Sequence, residues 1–336
     1  MLESLRGHAR ALASIEPAQI IELTGTLRGS AESVIALYAG NGANLEYLSA
    51  TLFEAGPERR TVGSVFPPFI ASALGRHQSR ADIVIAERPP VWALLGGEIG
   101  EIQMPAWLRQ ELPLDNGTSS RWALGRHLER EVDRQIRRHD YRLEVSGPDA
   151  VKREFFESFY LPYIQSRHGS GAITVDREKF SAVASTATLA QLFAGDTWIA
   201  GMLLQWRGET LKFGWFGSNE TPPRKGASEV LDVLCIRMAA ERGVRRINFG
   251  NSRPSLIDGV VRYKRKFGAG FVIPRYPQTR IDLTIRTDRP VLRAWLSGQQ
   301  FRCSIGKSLR IANYSAEAPP RLEFRPIGET SAVAGP

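Results

Sequence analysis

The chain has 336 residues and a formal charge of +9, with 43% hydrophobic and 24% charged residues, proportions of a folded protein long enough for two domains. Of its 44 basic residues only seven are lysines, and the arginines are spread along the whole sequence, which argues against one dedicated nucleic-acid-binding surface. Two cysteines without a Cys-x-x-Cys pair and five scattered histidines offer no metal-ligand spacing, the amino terminus lacks the apolar core of a secretion signal, and no run approaches the ~20 apolar residues of a membrane span. The expectation is a reduced, cytoplasmic protein.

Leu2, Leu5, Ala9, Leu12 and Ile15 recur at helical spacing and predict a helix ended by Pro17. Val34 to Tyr38 reads as a strand or a short buried helix, because periodicity does not separate the two over so short a run. Gly40-Asn41-Gly42 marks a turn, a helix begins at Pro67-Pro68 and reaches Leu74, and Asp82 to Ala86 is a short buried strand closed by Arg88-Pro89-Pro90. The Gly and Pro punctuation from Gly96 to Leu114 marks an active loop or a domain edge. A long helix is predicted from Ser120 to His139, with Leu124, Leu128, Val132 and Ile136 on one face. Its arginines alternate with Glu129, Glu131 and Asp133 and read as a solvated face. Tyr141 to Val145 is a strand, and Ser146-Gly147-Pro148 is the expected domain junction.

Asp149 is placed to cap a helix that carries Phe155, Phe156, Phe159 and Tyr160 and stops near Pro162, after which Arg167 to Gly171 forms a polar loop. Strands follow at Leu189 to Phe193, Thr197 to Trp206 and Thr210 to Phe216, the last two joined by the turn Arg207-Gly208-Glu209. The chain then passes through Pro222-Pro223-Arg224-Lys225-Gly226-Ala227-Ser228 into a helix that places Ala227, Leu231, Leu234 and Met238 on one stripe and ends at Gly243. A strand that opens through a basic glycine-containing loop into a helix is suited to hold phosphate or another anion on the first helical amides. Ile247 to Gly250 is the next strand, and further strands are expected at Gly270 to Ile273 and Arg280 to Ile285. A helix near Val291 to Trp295, a weaker helical segment from Ile305 to Ile311 and a loose tail from Ala316 complete the chain.

This second half resembles the acyltransferase domain of the GNAT superfamily, in particular its Fem-type and polysaccharide-associated branch. The resemblance rests on Phe159-Tyr160 with Pro162, Arg167-His168-Gly169, Phe216-Gly217-Ser218 and Ala239-Ala240-Glu241-Arg242-Gly243. It is strongest at Phe249-Gly250-Asn251-Ser252-Arg253, followed by Gly259, Tyr263-Lys264 and Phe267-Gly268. It implies an α/β (α+β) fold of mixed, mainly antiparallel sheets flanked by helices, with two GNAT-like domains in tandem. These would be a degenerate copy at 1–145, the acyltransferase at 146–315 and a loose tail at 316–336. One departure stands in the phosphate loop, where Pro223 occupies the position of the family's leading Gln or Arg.

The same resemblance implies acyl transfer from acyl-CoA, a co-substrate, to an amine or hydroxyl of a small-molecule, sugar or cell-envelope precursor, without a metal. Fem-type relatives use aminoacyl-tRNA instead, and a non-catalytic scaffold of the same fold is the third reading. Donor contacts fall to Phe216, Gly217 and Ser218, whose backbone amides would face the acyl carbonyl, and to Arg224, Lys225, Gly226, Ala227 and Ser228. Lys264 matches the family's cation position, and His168 and Asp258 are the candidate proton acceptors. Arg167 and Tyr263 are assigned to substrate with Asn251, Ser252 and Arg253, which follow the carboxyl end of a strand, where open α/β sheets gather ligand groups.

Overall fold

The computed structural model describes residues 16–95, 100–114, 125–168, 175–219, 226–272, 278–299, 301–305, 308–314 and 322–326. The expected helix over the first fifteen residues, Pro222 to Lys225, and all of the tail except 322–326 lie outside these. The first stretch contains strands β1 (Ala18–Thr26) and β2 (Ser33–Gly40), helix α1 (Leu45–Leu52), β3 (Glu58–Val65), α2 (Ile70–His77), β4 (Ile83–Arg88) and β5 (Ile102–Pro105). The middle of the chain forms β6 (Leu108–Pro113), α3 (Arg126–His139), β7 (Tyr141–Ser146), α4 (Asp149–Phe155), α5 (Leu161–His168), α6 (Arg177–Ala184), β8 (Thr188–Ala194), β9 (Thr197–Arg207) and β10 (Thr210–Ser218). The rest adds α7 (Ala227–Glu241), β11 (Arg246–Ser252), α8 (Gly259–Arg265), β12 (Gly270–Val272), β13 (Arg280–Ile285), α9 (Pro290–Ser297), β14 (Phe301–Ile305), β15 (Ser308–Tyr314) and β16 (Leu322–Pro326).

Two compact units result, one of residues 1–108, 252–262 and 273–336, the other of 109–251 and 263–272. The first holds a sheet in the order β3-β1-β2-β4-β13-β5 and a three-stranded sheet β14-β15-β16. Alternation along β2 explains its burial on both faces: Val34, Ala36 and Tyr38 join α1 and α9 in one core, while Leu37 and Ala39 join α2 in another. That settles Val34 to Tyr38 as strand, since a helix would not divide its neighbours between two faces. The expected helical segment at Ile305 to Ile311 is corrected to β14 and β15, paired antiparallel from Phe301↔Ala312 to Ile305↔Ser308. Leu309 and Ile311 stand two apart, the strand period, and Gly306 disfavours a helix there.

The second unit holds a sheet in the order β12-β6-β11-β10-β9-β8-β7. Helix α7 covers one face with Ala227, Val230, Leu231, Cys235, Ile236 and Ala239, and an aromatic group of Phe155, Phe156, Phe159, Tyr160 and Phe180 covers the other. Both large sheets are mixed and mainly antiparallel. The expected cut at Ser146-Gly147-Pro148 differs from this division, because β7 pairs with β8 along its whole length, from Tyr141↔Ala194 to Ser146↔Leu189. A break there would strip a strand from its sheet.

Two local expectations are also corrected. Asp149 does not cap α4; it is the first helical residue, 3.4 Å from Lys152 Nζ, and Pro148 holds the cap position. Nor does the helix stop at Pro162. A π-turn at Phe156–Tyr160, in which the Leu161 amide donates to the Phe156 carbonyl, carries the chain into α5, so the proline falls in a fresh first turn where its missing N–H costs little. The long arginine-rich helix is described from Arg126 onward.

Candidate active site

In the second unit β10 and β11 run parallel but pair only over Thr210–Lys212 against Arg246–Asn248, and then continue separately to Ser218 and Ser252. The register of β10 on β9 shifts between Phe213 and Phe216, so β10 bends just where it leaves β11. Backbone groups on that edge of β10 therefore have no ladder partner from β11. Gly217 is buried against the π-turn: an added Cβ would lie 2.6 Å from the Tyr160 nitrogen. Ser218 is buried, and its hydroxyl donates to the Ile199 carbonyl at 3.1 Å, which makes it an anchor of the strand end. Phe216 packs edge-on against Tyr163, with ring centres 5.1 Å apart.

Helix α7 begins right after Gly226, whose φ of 85° lies in the left-handed region, and no side chain caps it. The amides of Ala227 and Ser228 head the helix, and Arg224 and Lys225 lie outside the described residues. Gly226→Ala should lower stability by about 1–2 kcal/mol, the cost of a left-handed non-glycine residue, because an added Cβ meets only Gln135 at ordinary contact distance. Urea denaturation reads this directly, and an unchanged midpoint would remove the left-handed turn from the site.

Tyr263 and Lys264, both in α8, meet this region from another side. The Tyr263 hydroxyl donates to Asp232 Oδ2 at 2.6 Å, and Lys264, 8% exposed, donates from Nζ to the Asn251 carbonyl at 2.8 Å, near the end of β11. Asp232 is the residue that sequence reasoning missed. It lies buried in α7, and burial raises its carboxyl to about 7 against the opposing pull of the Tyr263 hydrogen bond and the Lys264 charge. Burial and the adjacent Asp232 also push the Tyr263 phenol upward. A signal was present, since Asp232 interrupts the apolar run from Val230 to Ile236.

The other expected site residues divide. Asp258 belongs to the first unit, and its carboxylate accepts from the Val260 and Val261 amides at 2.9 and 3.1 Å, the capping role weighed against catalysis for it. Ser252 is buried at the end of β11. Arg253 lies in the first unit between Tyr47 and Trp107. Arg167 and His168 end α5 rather than lying in a loop, and their side chains lie outside the description. Among the described residues no group of three or more His, Cys, Asp or Glu is placed to hold a metal ion, and no helix is long and apolar enough to cross a membrane.

Residues 123–265 match the family model of the acetyltransferase (GNAT) domain. Over that span the chain is similar to a GNAT domain. No curated protein matches the sequence. Among solved structures, the chain is similar to L-PGS from Bacillus licheniformis at 14% identity, covering 82% of this chain and 87% of that one with a TM-score of 0.41. It is similar also to FemX, at 11% identity over 81% and 85% of the two chains with a TM-score of 0.40. A GCN5-related N-acetyltransferase from Sphaerobacter thermophilus is similar at 15% identity over 74% and 71%, with a TM-score of 0.35. The GNAT match takes in α7, the parting of β10 from β11, and both Tyr263 and Lys264.

Proposed function

We propose that the GNAT domain transfers an acyl group from acyl-CoA to an amine or hydroxyl of a small-molecule, sugar or cell-envelope precursor. The observation that carries this reading is the early end of the β10–β11 pairing, with a glycine-led helix start following β10 in sequence. In this reading the acyl carbonyl lies along the freed edge of β10, and the pyrophosphate lies on the first amides of α7. The acceptor nitrogen or oxygen attacks the carbonyl carbon, the carbon–sulfur bond breaks, and the thiolate leaves with the proton the acceptor gives up. Lys264 supplies the positive charge for the developing oxyanion or the leaving thiolate, and its hydrogen bond to Asn251 fixes where that charge sits. The same reading places the reaction in the cytoplasm, where acyl-CoA is available.

A second reading has its own observation. His127, Arg130, Arg134 and Arg137 of α3 line a surface groove of about 680 Å³ in which, among the described residues, Glu131 is the one acid. That excess of positive charge suits RNA and supports an aminoacyl-tRNA donor. Thermal shift of the full chain with acetyl-CoA, a longer acyl-CoA and RNA separates the readings. Stabilisation by a CoA thioester is expected, stabilisation by RNA alone would overturn it, and no response to any of them would favour a non-catalytic scaffold. In a working assay Lys264→Met should lower kcat by roughly 100-fold or more, the range seen when one oxyanion contact is lost. Unchanged turnover would remove Lys264 from the mechanism.

A further inference from the structure

We propose that Arg253 is the centre of an oxyanion-binding site in the first unit, one that takes a carboxylate or phosphate group of a small ligand. The guanidinium carbon lies 3.6 Å from the ring centre of Trp107 and 4.2 Å from that of Tyr47, so two aromatic rings pack against the cation. Packed in this way, a guanidinium hydrogen-bonds only through its edge, and the N–H fork on that edge has the geometry of a carboxylate or phosphate.

The edge is partly used. Nη1 donates to Asn44 Oδ1 and, at 3.5 Å, to the Ala106 carbonyl. Among the described residues Nε and Nη2 have no hydrogen-bond partner, and no carboxylate lies within ion-pair distance of Arg253. Glu87 is held one amide away: it accepts from Asn44 Nδ2 at 2.8 Å on Oε1 and from the Tyr38 hydroxyl on Oε2. Asn44 therefore spends both ends of its amide fixing Arg253 and Glu87 apart, and the acid does not take up the fork. Burial pulls the Arg253 guanidinium below its ordinary value, against Tyr47, Glu87 and Asp258, which favour its charge through space. Asp258 is already committed to the start of α8.

The support behind the fork is rigid. Gly42 donates its amide to the Tyr38 hydroxyl at 2.9 Å, and a Cβ at Gly40 would fall 2.3 Å from that hydroxyl and 2.7 Å from Glu87 Cβ. Glycine at position 40 lets the network close. A cation taken partly out of water normally stands beside an anion. Here the second unit and its acyl chemistry are not required: the site stands whether or not the GNAT domain turns over acyl-CoA.

The test is calorimetric titration of the full chain with potassium phosphate, sodium glutarate and sodium chloride at matched ionic strength. Wild type should bind phosphate or glutarate saturably and chloride not at all. Whichever of the two binds more tightly identifies the ligand group. Arg253→Gln should abolish that binding, while Arg60→Gln, a surface change in the same unit, should leave it unchanged. Arg253→Lys keeps a charge between the rings but loses the fork, so it should weaken binding roughly tenfold or more, and it carries the test if Arg253→Gln does not fold. Binding equal in wild type and the Arg253 variants, or no saturable binding of either oxyanion, would overturn the site.

Discussion

Gly217→Ala should lower the stability of the protein by about 3 kcal/mol or more, at the upper end of what an overpacked core costs. The added methyl would lie 2.6 Å from the Tyr160 nitrogen, 2.7 Å from the Phe159 carbonyl carbon and 2.8 Å from the Tyr160 Cα. All three are backbone atoms of the π-turn, so no side chain can swing away to make room. The turn itself is pinned by packed rings, among them Phe156 tilted against Phe180 with centroids 4.5 Å apart. Relief would have to come from displacing β10 at the point where the acyl carbonyl is proposed to lie, so activity should fall with stability. Guanidinium denaturation of Gly217→Ala beside Gly147→Ala, where an added Cβ meets nothing within 4 Å, is the measurement. Equal midpoints for the two variants would mean that strand and turn do not approach this closely.

Asp232→Asn should remove a pH dependence of stability. With its carboxyl raised to about 7 in the folded protein, Asp232 binds a proton more tightly there than in the unfolded chain. Its contribution is therefore fully present below the unfolded value near 4 and is lost as pH rises through about 7. A shift of about three units bounds that loss at about 4 kcal/mol. Asparagine cannot ionise, yet it can still accept the Tyr263 hydrogen bond, so the variant should match wild type near pH 4.5 and exceed it above pH 8. Urea midpoints at the two pH values decide this, and a constant difference between the proteins would rule out Asp232 as the titrating group.

The strands of the second unit were legible because their apolar runs and turns are local. Ile199 to Leu204 is an unbroken apolar stretch buried in β9, Gly208 marks the tight turn to β10, and neither needs a distant partner to be recognised. The domain division was not legible, because β6 and β12, far apart in sequence, pair in one sheet from Gly270↔Glu111 to Val272↔Arg109. No linker composition marks such a crossing. At the site, Tyr263 and Lys264 came from a motif, whereas Asp232 escaped notice because an acid in a helix is ordinarily assigned to the wet face. Only its burial beside Tyr263 distinguishes it. Arg253 was singled out for substrate, but nothing in its neighbours indicated that Tyr47 and Trp107 would flank it. Those contacts join residues more than a hundred positions apart, and a single sequence carries no trace of them.

β13 lies between β4 and β5, pairing with Ile83 to Arg88 on one side and Ile102 to Pro105 on the other. During synthesis, roughly two hundred residues must leave the ribosome after β4 before the strand that belongs beside it exists. Until then β4, apolar and buried in the finished protein, has an open side. The nascent first unit is thus an unfinished sheet for much of translation, and it depends on protection of that side until Arg280 to Ile285 emerges. The interleaved order of segments makes completion of this sheet one of the last events in the birth of the molecule.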